Sequence, residues 1–396
     1  MRINLKLNKF YLNIFAILNL LGLLSSFVDI KLGVLSSIII LVICFAHLKT
    51  KLFFSDRAFV IYILACVVSG ISYIWNGRPF TIYLAAISFN VFPAFLVYLG
   101  RFIASRDETD TFVLRMLNSF IFMMGVGTVA YLFFSSFYYE YLGQAIESYT
   151  YGLGEYRYGS FISSIALGSV GSISIALYFY MFERISTVQR VVYLPLIILN
   201  LLMSMQRSAW IISIFSLIIC IFVKFSNSRK SRLRIIGIII VFLVIAVLVW
   251  AQRQSIFSET QLLYFERRIN VVNISDMVSS RNNQWIEAWN KFIENPLIGY
   301  GLGSLGQKAA PYGLEIVTDG NHLRILAEIG IFGFGAFVYM NLRAIIRSIK
   351  AKRYYFVIII VLCNIAAVGS PIFDQYYASF AYWLILGCAS IKIKKQ

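Results

Sequence analysis

Twelve apolar runs, each close to the length that crosses a lipid bilayer, occupy most of this chain. They fall near 10–28, 31–48, 58–76, 80–99, 112–135, 159–182, 191–206, 208–224, 235–251, 322–342, 354–371 and 376–391. A bilayer core about 30 Å thick needs roughly 20 such residues in α-helical form. Within it only helices or closed barrels satisfy every backbone polar group. The chain is 60% hydrophobic and 13% charged, whereas a soluble domain sits nearer 45–50% and about 25%. Soluble folds are thereby excluded. The expected fold is all-α, a polytopic membrane helical bundle with about 12 transmembrane helices. The pair of runs on either side of Arg207 is divided only by a short polar break.

A net charge of +17 would suit a nucleic-acid partner if it were gathered on one face. It is instead scattered over the ends of the apolar runs, so no nucleic acid is expected and the charge reads as a topology signal. The run after Arg2, Lys6 and Lys9 is longer than a signal-peptide core and lacks a small-residue cleavage site, so it is expected to remain as the first span. With the N-terminus inside, 24 of the 35 Lys and Arg residues fall on the cytoplasmic side. Seven of the remaining 11 belong to 251–320 or its edge, a loop long enough to escape the rule. Both termini are therefore expected inside and this loop outside. The organisation expected is helices 1–9 over 1–250, a large outer loop over 251–321 and helices 10–12 over 322–396.

Cys44, Cys66, Cys220, Cys363 and Cys388 all lie within apolar runs, with neither disulfide nor metal-ligand spacing. No metal site or cofactor is expected. The basic stretch 224–234 reads as a cytoplasmic anchor, and no Walker or Rossmann pattern accompanies it.

The outer segments are where chemistry is expected. Between 135 and 160, seven tyrosines lie from Tyr138 to Tyr158. They suit an interfacial aromatic belt or, for Tyr151 and Tyr156, stacking against the apolar faces of sugar rings. The long loop carries Arg267 and Arg268, then a predicted amphipathic helix over 280–295. Ser279 or Ser280 would cap it, Trp285, Ile286, Trp289, Phe292 and Ile293 recur at helical spacing, and Asn295-Pro296 would end it. Such a helix would lie on the membrane surface. Arg281 beside its N-terminus would strengthen an anion site there. The stretch 299–306, with Tyr300 among four glycines, would let backbone approach a ligand closely.

Arg207 stands on the outer side of a tight break, where a cation needs an anion or water. An ion pair with Glu328 or Asp374 and a contact to a substrate anion are the two readings. Asp319 and His322 precede the next apolar run, and Arg324 and Glu328 are spaced to pair on one helix face. Asp319 or His322 could cap that helix, or could take a proton from a hydroxyl within hydrogen-bond reach.

ENPLIGYGLGS followed by DGNHLRILAEIGIFGFGAF, with MSMQRSAW upstream, resembles the superfamily of O-antigen polymerases and ligases. The likeness covers about 200–340. It implies a multi-pass protein of the bacterial inner membrane whose active face is periplasmic. It also implies glycosyl transfer without metal or nucleotide, from an oligosaccharide on undecaprenyl pyrophosphate to a sugar hydroxyl. A flippase and a chain-length regulator are the partner proteins that go with such a role. Arg207, Arg281, Arg267 and Arg268 are the cations expected at the pyrophosphate, with Trp285, Tyr300, Tyr151 and Tyr156 at the glycan. Ligases resemble one another in a His-Asn or similar pair about nine residues before the Glu of the LAE-x-G stretch. Here that place holds Asp319, with His322 three residues nearer, which favours a polymerase over a ligase. A lipid-linked-sugar transporter is the reading from another class, but the chain has no repeated halves.

Overall fold

The computed structural model describes residues 11–27, 56–142, 158–225, 274–306 and 320–391, with a few isolated positions between them. Among the described residues the secondary structure is helical. The main helices are α1 (Ile14–Phe27), α2 (Arg57–Trp75), α3 (Phe80–Ser105), α4 (Thr109–Phe133), α5 (Ser164–Met181), α6 (Thr187–Met203), α7 (Arg207–Phe225), α8 (Ile274–Glu294), α9 (Asn321–Lys350), α10 (Tyr354–Gly369) and α11 (Tyr376–Ala389). Six are long and apolar enough to cross a membrane, namely α2, α3, α4, α5, α7 and α9; α6, α10, α11 and Tyr11–Ser25 are shorter apolar helices. The expected runs 31–48 and 235–251 lie almost wholly outside the described residues. Arg207 does separate two helices, since α6 ends at Met203 and α7 begins at Arg207.

The chain divides into two compact units, one of residues 1–32 and 110–272 and the other of 33–109 and 273–396. In the first, α5 packs against α6 and α7 and is buried along almost all of its length. Its sequence explains why: the run of Gly and Ser lets neighbouring backbones approach. Gly171 faces Leu201, and the Ser172 hydroxyl lies 2.9 Å from that of Ser213. Ser163 caps α5, and Ser186 with Gln189 forms a capping box on α6. Two tyrosines of the 135–160 stretch join this core, which corrects the expectation of an interfacial belt for them. Tyr138 and Tyr158 are 1% and 3% exposed and stacked 5.6 Å apart. The Tyr158 hydroxyl donates to Asn200 Oδ1 at 3.0 Å. Tyr151 and Tyr156 lie outside the described residues.

In the second unit α9 packs along α2 and α10, and α11 lies along the C-terminal half of α3. Helices α2 and α9 run antiparallel. Asp56, before α2, pairs with Arg343 near the end of α9, while Ser72 reaches the loop that contacts the first third of α9. Helix α8 packs on α9. It begins at Ile274, about two turns earlier than the sequence suggests, and Asn295-Pro296 ends it as expected. Ser279 and Ser280 therefore lie inside the helix. Arg281 is some two turns from its N-terminus, so the helix-end argument for an anion at Arg281 does not hold.

Candidate active site

The glycine-rich loop after α8 is built into a break in α9. Gly330 adopts φ 72° and ψ −179° within that helix, a conformation open essentially to glycine alone. The break frees the carbonyls of Ala327 and Glu328, which would otherwise accept from residues four further on. The loop supplies the missing donors. Tyr300 N–H donates to Ala327 O at 2.7 Å and Gly301 N–H to Glu328 O at 3.0 Å. The N–H of Ile331, freed in turn, donates to Pro296 O at 2.9 Å. A Cβ on Gly299 would strike the Glu328 carbonyl, and one on Gly330 would strike Leu297 O. Gly299 thus allows a close approach to the α9 backbone, while Gly301 and Gly303 face Tyr73 of α2 and Ala86 of α3. The loop is held from its other side by α2: Ser72 Oγ donates to Gly299 O at 2.7 Å and Tyr73 OH to Leu302 O at 2.9 Å.

Behind the loop lies a buried ion cluster. Arg324 is 3% exposed and makes a two-pronged contact with Asp374. Its Nε is 3.8 Å from Glu328, itself 1% exposed. The Glu328 carboxylate accepts from Leu305 N–H at 3.0 Å. Glu328 and Asp374, which the sequence offered as partners for Arg207, are thus engaged by Arg324. The spacing of Arg324 and Glu328 foretold their pairing; the dominant partner, Asp374, lies fifty positions away. Asn321 Oδ1 accepts from Phe373 N–H at 3.0 Å, tying the start of α9 to the same segment.

His322 lies 2.7 Å through Nε2 from the Asn364 carbonyl. A carbonyl only accepts, so Nε2 carries the proton. Its Nδ1 is buried, and the rings of Phe334, Phe337 and Phe373 lie about it at 6.3, 6.1 and 6.3 Å. With Nε2 bonded and Nδ1 buried, the imidazole is poorly placed to reach a hydroxyl.

The outer surface of the loop carries cations that the sequence reading missed. The Arg78 guanidinium lies 3.4 Å over the Tyr300 ring and donates to Tyr300 O at 2.6 Å. Lys291 lies 4.8 Å from the same ring and 2.8 Å from Glu294. Burial draws Arg78 below the ordinary guanidinium range, opposed by the neighbouring Tyr300. The hydrogen bond to Glu294 holds Lys291 above its usual value. The signal for Arg78 was there: like Arg207, it is a cation in a short break that the charge pattern expects outside.

Trp285, expected at the glycan, lies on α8 with its indole nitrogen close to Gly320, 3.3 Å from where a Cβ would stand. This brings α8 against the residue that precedes α9. Ala288 is buried between Leu305 and Ala327, whereas Ile286, Trp289 and Ile293 form an exposed apolar stripe continued by Leu297. Arg207 heads α7 in the first unit, partly exposed. Asp319, Arg267 and Arg268 lie outside the described residues.

Residues 191–338 match the family model described as O-antigen ligase. That match extends from α6 through the first three-fifths of α9 and so takes in Arg207, α8 and the glycine loop. It agrees with the superfamily likeness drawn from the sequence motifs. No curated protein was found to match the chain.

Proposed function

From the likeness of residues 191–338 to the O-antigen ligase family, we propose that this chain is a membrane glycosyltransferase acting on a lipid-linked glycan. More specifically, we infer an O-antigen polymerase. It would transfer the growing glycan from undecaprenyl pyrophosphate to a sugar hydroxyl of the next lipid-linked repeat unit, on the periplasmic side of the bacterial inner membrane. The carrying observation is that one continuous family match includes the cation between α6 and α7 and the glycine loop docked in α9. In this reading both termini are cytoplasmic, and the α8 stripe of Ile286, Trp289 and Ile293 rests on the outer leaflet.

The chemistry follows from charge. A pyrophosphate leaving group gains negative charge as the glycosidic C–O bond breaks, and preorganised cations stabilise that charge more than they stabilise the bound substrate. Arg207, Arg281, Arg267 and Arg268 are proposed for this role. Arg207 heads α7, where the backbone N–H groups also favour an anion. Arg78 and Lys291 add two further cations beside Tyr300, and Tyr300 and Trp285 offer faces to the sugars. Asp319 is proposed as the base that takes the acceptor hydroxyl's proton. Burial of His322 Nδ1 and the bond from Nε2 to Asn364 support Asp319 over His322 in that role.

The second reading, a ligase passing the glycan to lipid A core, is favoured by the family description itself. The surface polysaccharide of a deletion strain separates the two. Core capped with a single repeat unit supports the polymerase. Uncapped core, with polymer accumulating on the lipid carrier, would replace it with the ligase. Within the polymerase reading, Asp319→Asn should lower polymer yield by at least about a hundredfold, the usual contribution of a general base. His322→Ala should cost far less, and the reverse ranking would point to ligase-like chemistry.

A further inference from the structure

The second unit holds another concentration of charge, at the end of α9 remote from the glycine loop. Asp56 is 2% exposed and bonded by two arginines, Arg101 and Arg343. Arg101 Nε donates to Ser390 Oγ at 2.8 Å, and Arg347 donates to Ser390 O. Arg343–Asp56–Arg101–Ser390–Arg347 is therefore one hydrogen-bonded chain with three guanidinium groups and a single carboxylate. Arg353 adds a fourth, donating to the Cys388 carbonyl. Burial alone would raise the Asp56 carboxyl, but Arg101 and Arg343 more than reverse this and keep it ionised.

Helix ends account for part of this arrangement. Arg347 and Arg353 meet the last carbonyls of α11, where cations are favoured by the equivalent of about half a negative charge. They do not account for all of it. Arg343 and Arg347 are four apart on one helix, a spacing at which like charges repel. Each guanidinium offers five donors, and the partners of Arg101, Arg343 and Arg347 among the described residues use only one or two apiece. Arg343 Nε is buried with no partner among them. Water at the partly exposed edge screens that repulsion but does not reach the buried Arg343 Nε. A doubly bonding anion would complete it.

The adjoining surface indicates which anion. Beside Arg343 and Arg347 on α9, Leu342, Ile346 and Ile349 are 53%, 50% and 48% exposed. They recur at helical spacing, so an apolar strip runs alongside the arginines at the same level of α9. A free phosphate has no use for that strip, whereas acyl chains do. We propose that Arg101, Arg343 and Arg347 form a binding site for the phosphodiester headgroup of an anionic phospholipid, whose chains lie along Leu342, Ile346 and Ile349. The site is separate from the glycine loop and does not depend on the glycosyltransferase reading.

Native mass spectrometry of the full chain, released from detergent after incubation with defined lipids, tests this. Phosphatidylglycerol should be retained where phosphatidylcholine is not, and it should raise the thermal unfolding midpoint, whereas millimolar inorganic phosphate should not. Arg347→Gln, which leaves both arginines on Asp56, should cut phosphatidylglycerol retention about fivefold, the equivalent of ~1 kcal/mol for one basic residue at an anionic lipid surface. Asp56→Asn, which removes the competing carboxylate, should not lower retention. Equal retention of the two lipids by the native protein overturns the proposal, as does an Arg347→Gln protein that binds as the native one does. Stabilisation by inorganic phosphate equal to that by lipid would identify a soluble-anion site and overturn the lipid assignment. The two lipid comparisons use native protein, so either can overturn the proposal even if neither variant folds.

Discussion

Arg324 shows at the residue scale how a charge can be retained inside an apolar bundle. Its partners Asp374 and Glu328 come from different turns of the chain, and Glu328 is further held by the backbone N–H of Leu305. Removing one member of a buried ion cluster leaves the others uncompensated, at about 3–5 kcal/mol. Arg324→Gln is accordingly expected to lower the thermal unfolding midpoint of detergent-solubilised protein steeply, with Asp374→Asn nearly as severe. Arg78→Gln should behave otherwise. Arg78 is partly exposed and its guanidinium is held by Tyr300, so the fold should survive. If it contributes to pyrophosphate binding, polymer formation should fall about tenfold or more with the protein still inserted. An unchanged polymer ladder would assign Arg78 to loop support only. Arg324–Glu328 was legible from spacing because both lie on one helix. Asp374 was not, because nothing local marks a partner fifty residues away.

At the level of elements, the instructive feature is the interruption of α9. A run of apolar and small residues from 322 to 342 reads as one continuous span, and hydropathy carries no sign of the break. What makes the break tolerable is the loop 296–301, whose N–H groups replace the helical donors lost at Gly330. Gly330→Ala is expected to destabilise the protein by about 2 kcal/mol or more, since it adds backbone strain and a collision with Leu297 O. Helix α8 shows the opposite case. Its amphipathic spacing is plain, but serine is a favoured cap, so the sequence points to a start at Ser279–Ser280. The helix instead continues back to Ile274, since a serine also sits within a helix at modest cost.

For the whole molecule, the proposed reaction carries a requirement that can be checked without a variant. Arginine electrostatics and a carboxylate base need no divalent ion, so purified protein given lipid-linked repeat units should lengthen them in EDTA as well as with magnesium. Loss of activity in EDTA, restored by magnesium, would remove this mechanism. The two compact units divide the proposed residues between them: Arg207 belongs to the first, while Arg78, Lys291, Tyr300 and the α9 break belong to the second. The family match runs through both.

The helical class, the approximate ends of most apolar helices and the superfamily likeness were all legible in the amino-acid order. Each rests on local physics: the length that spans lipid, helical periodicity, and a short motif contiguous in the chain. The tertiary structure decided the rest. It put Gly299 against the α9 backbone, tied His322 Nε2 to Asn364, gave Asp374 to Arg324, and linked Arg101, Arg343 and Arg347 through Asp56 and Ser390. Those outcomes depend on pairings between distant segments, and hydropathy and spacing specify which face of a helix is apolar without specifying what meets it.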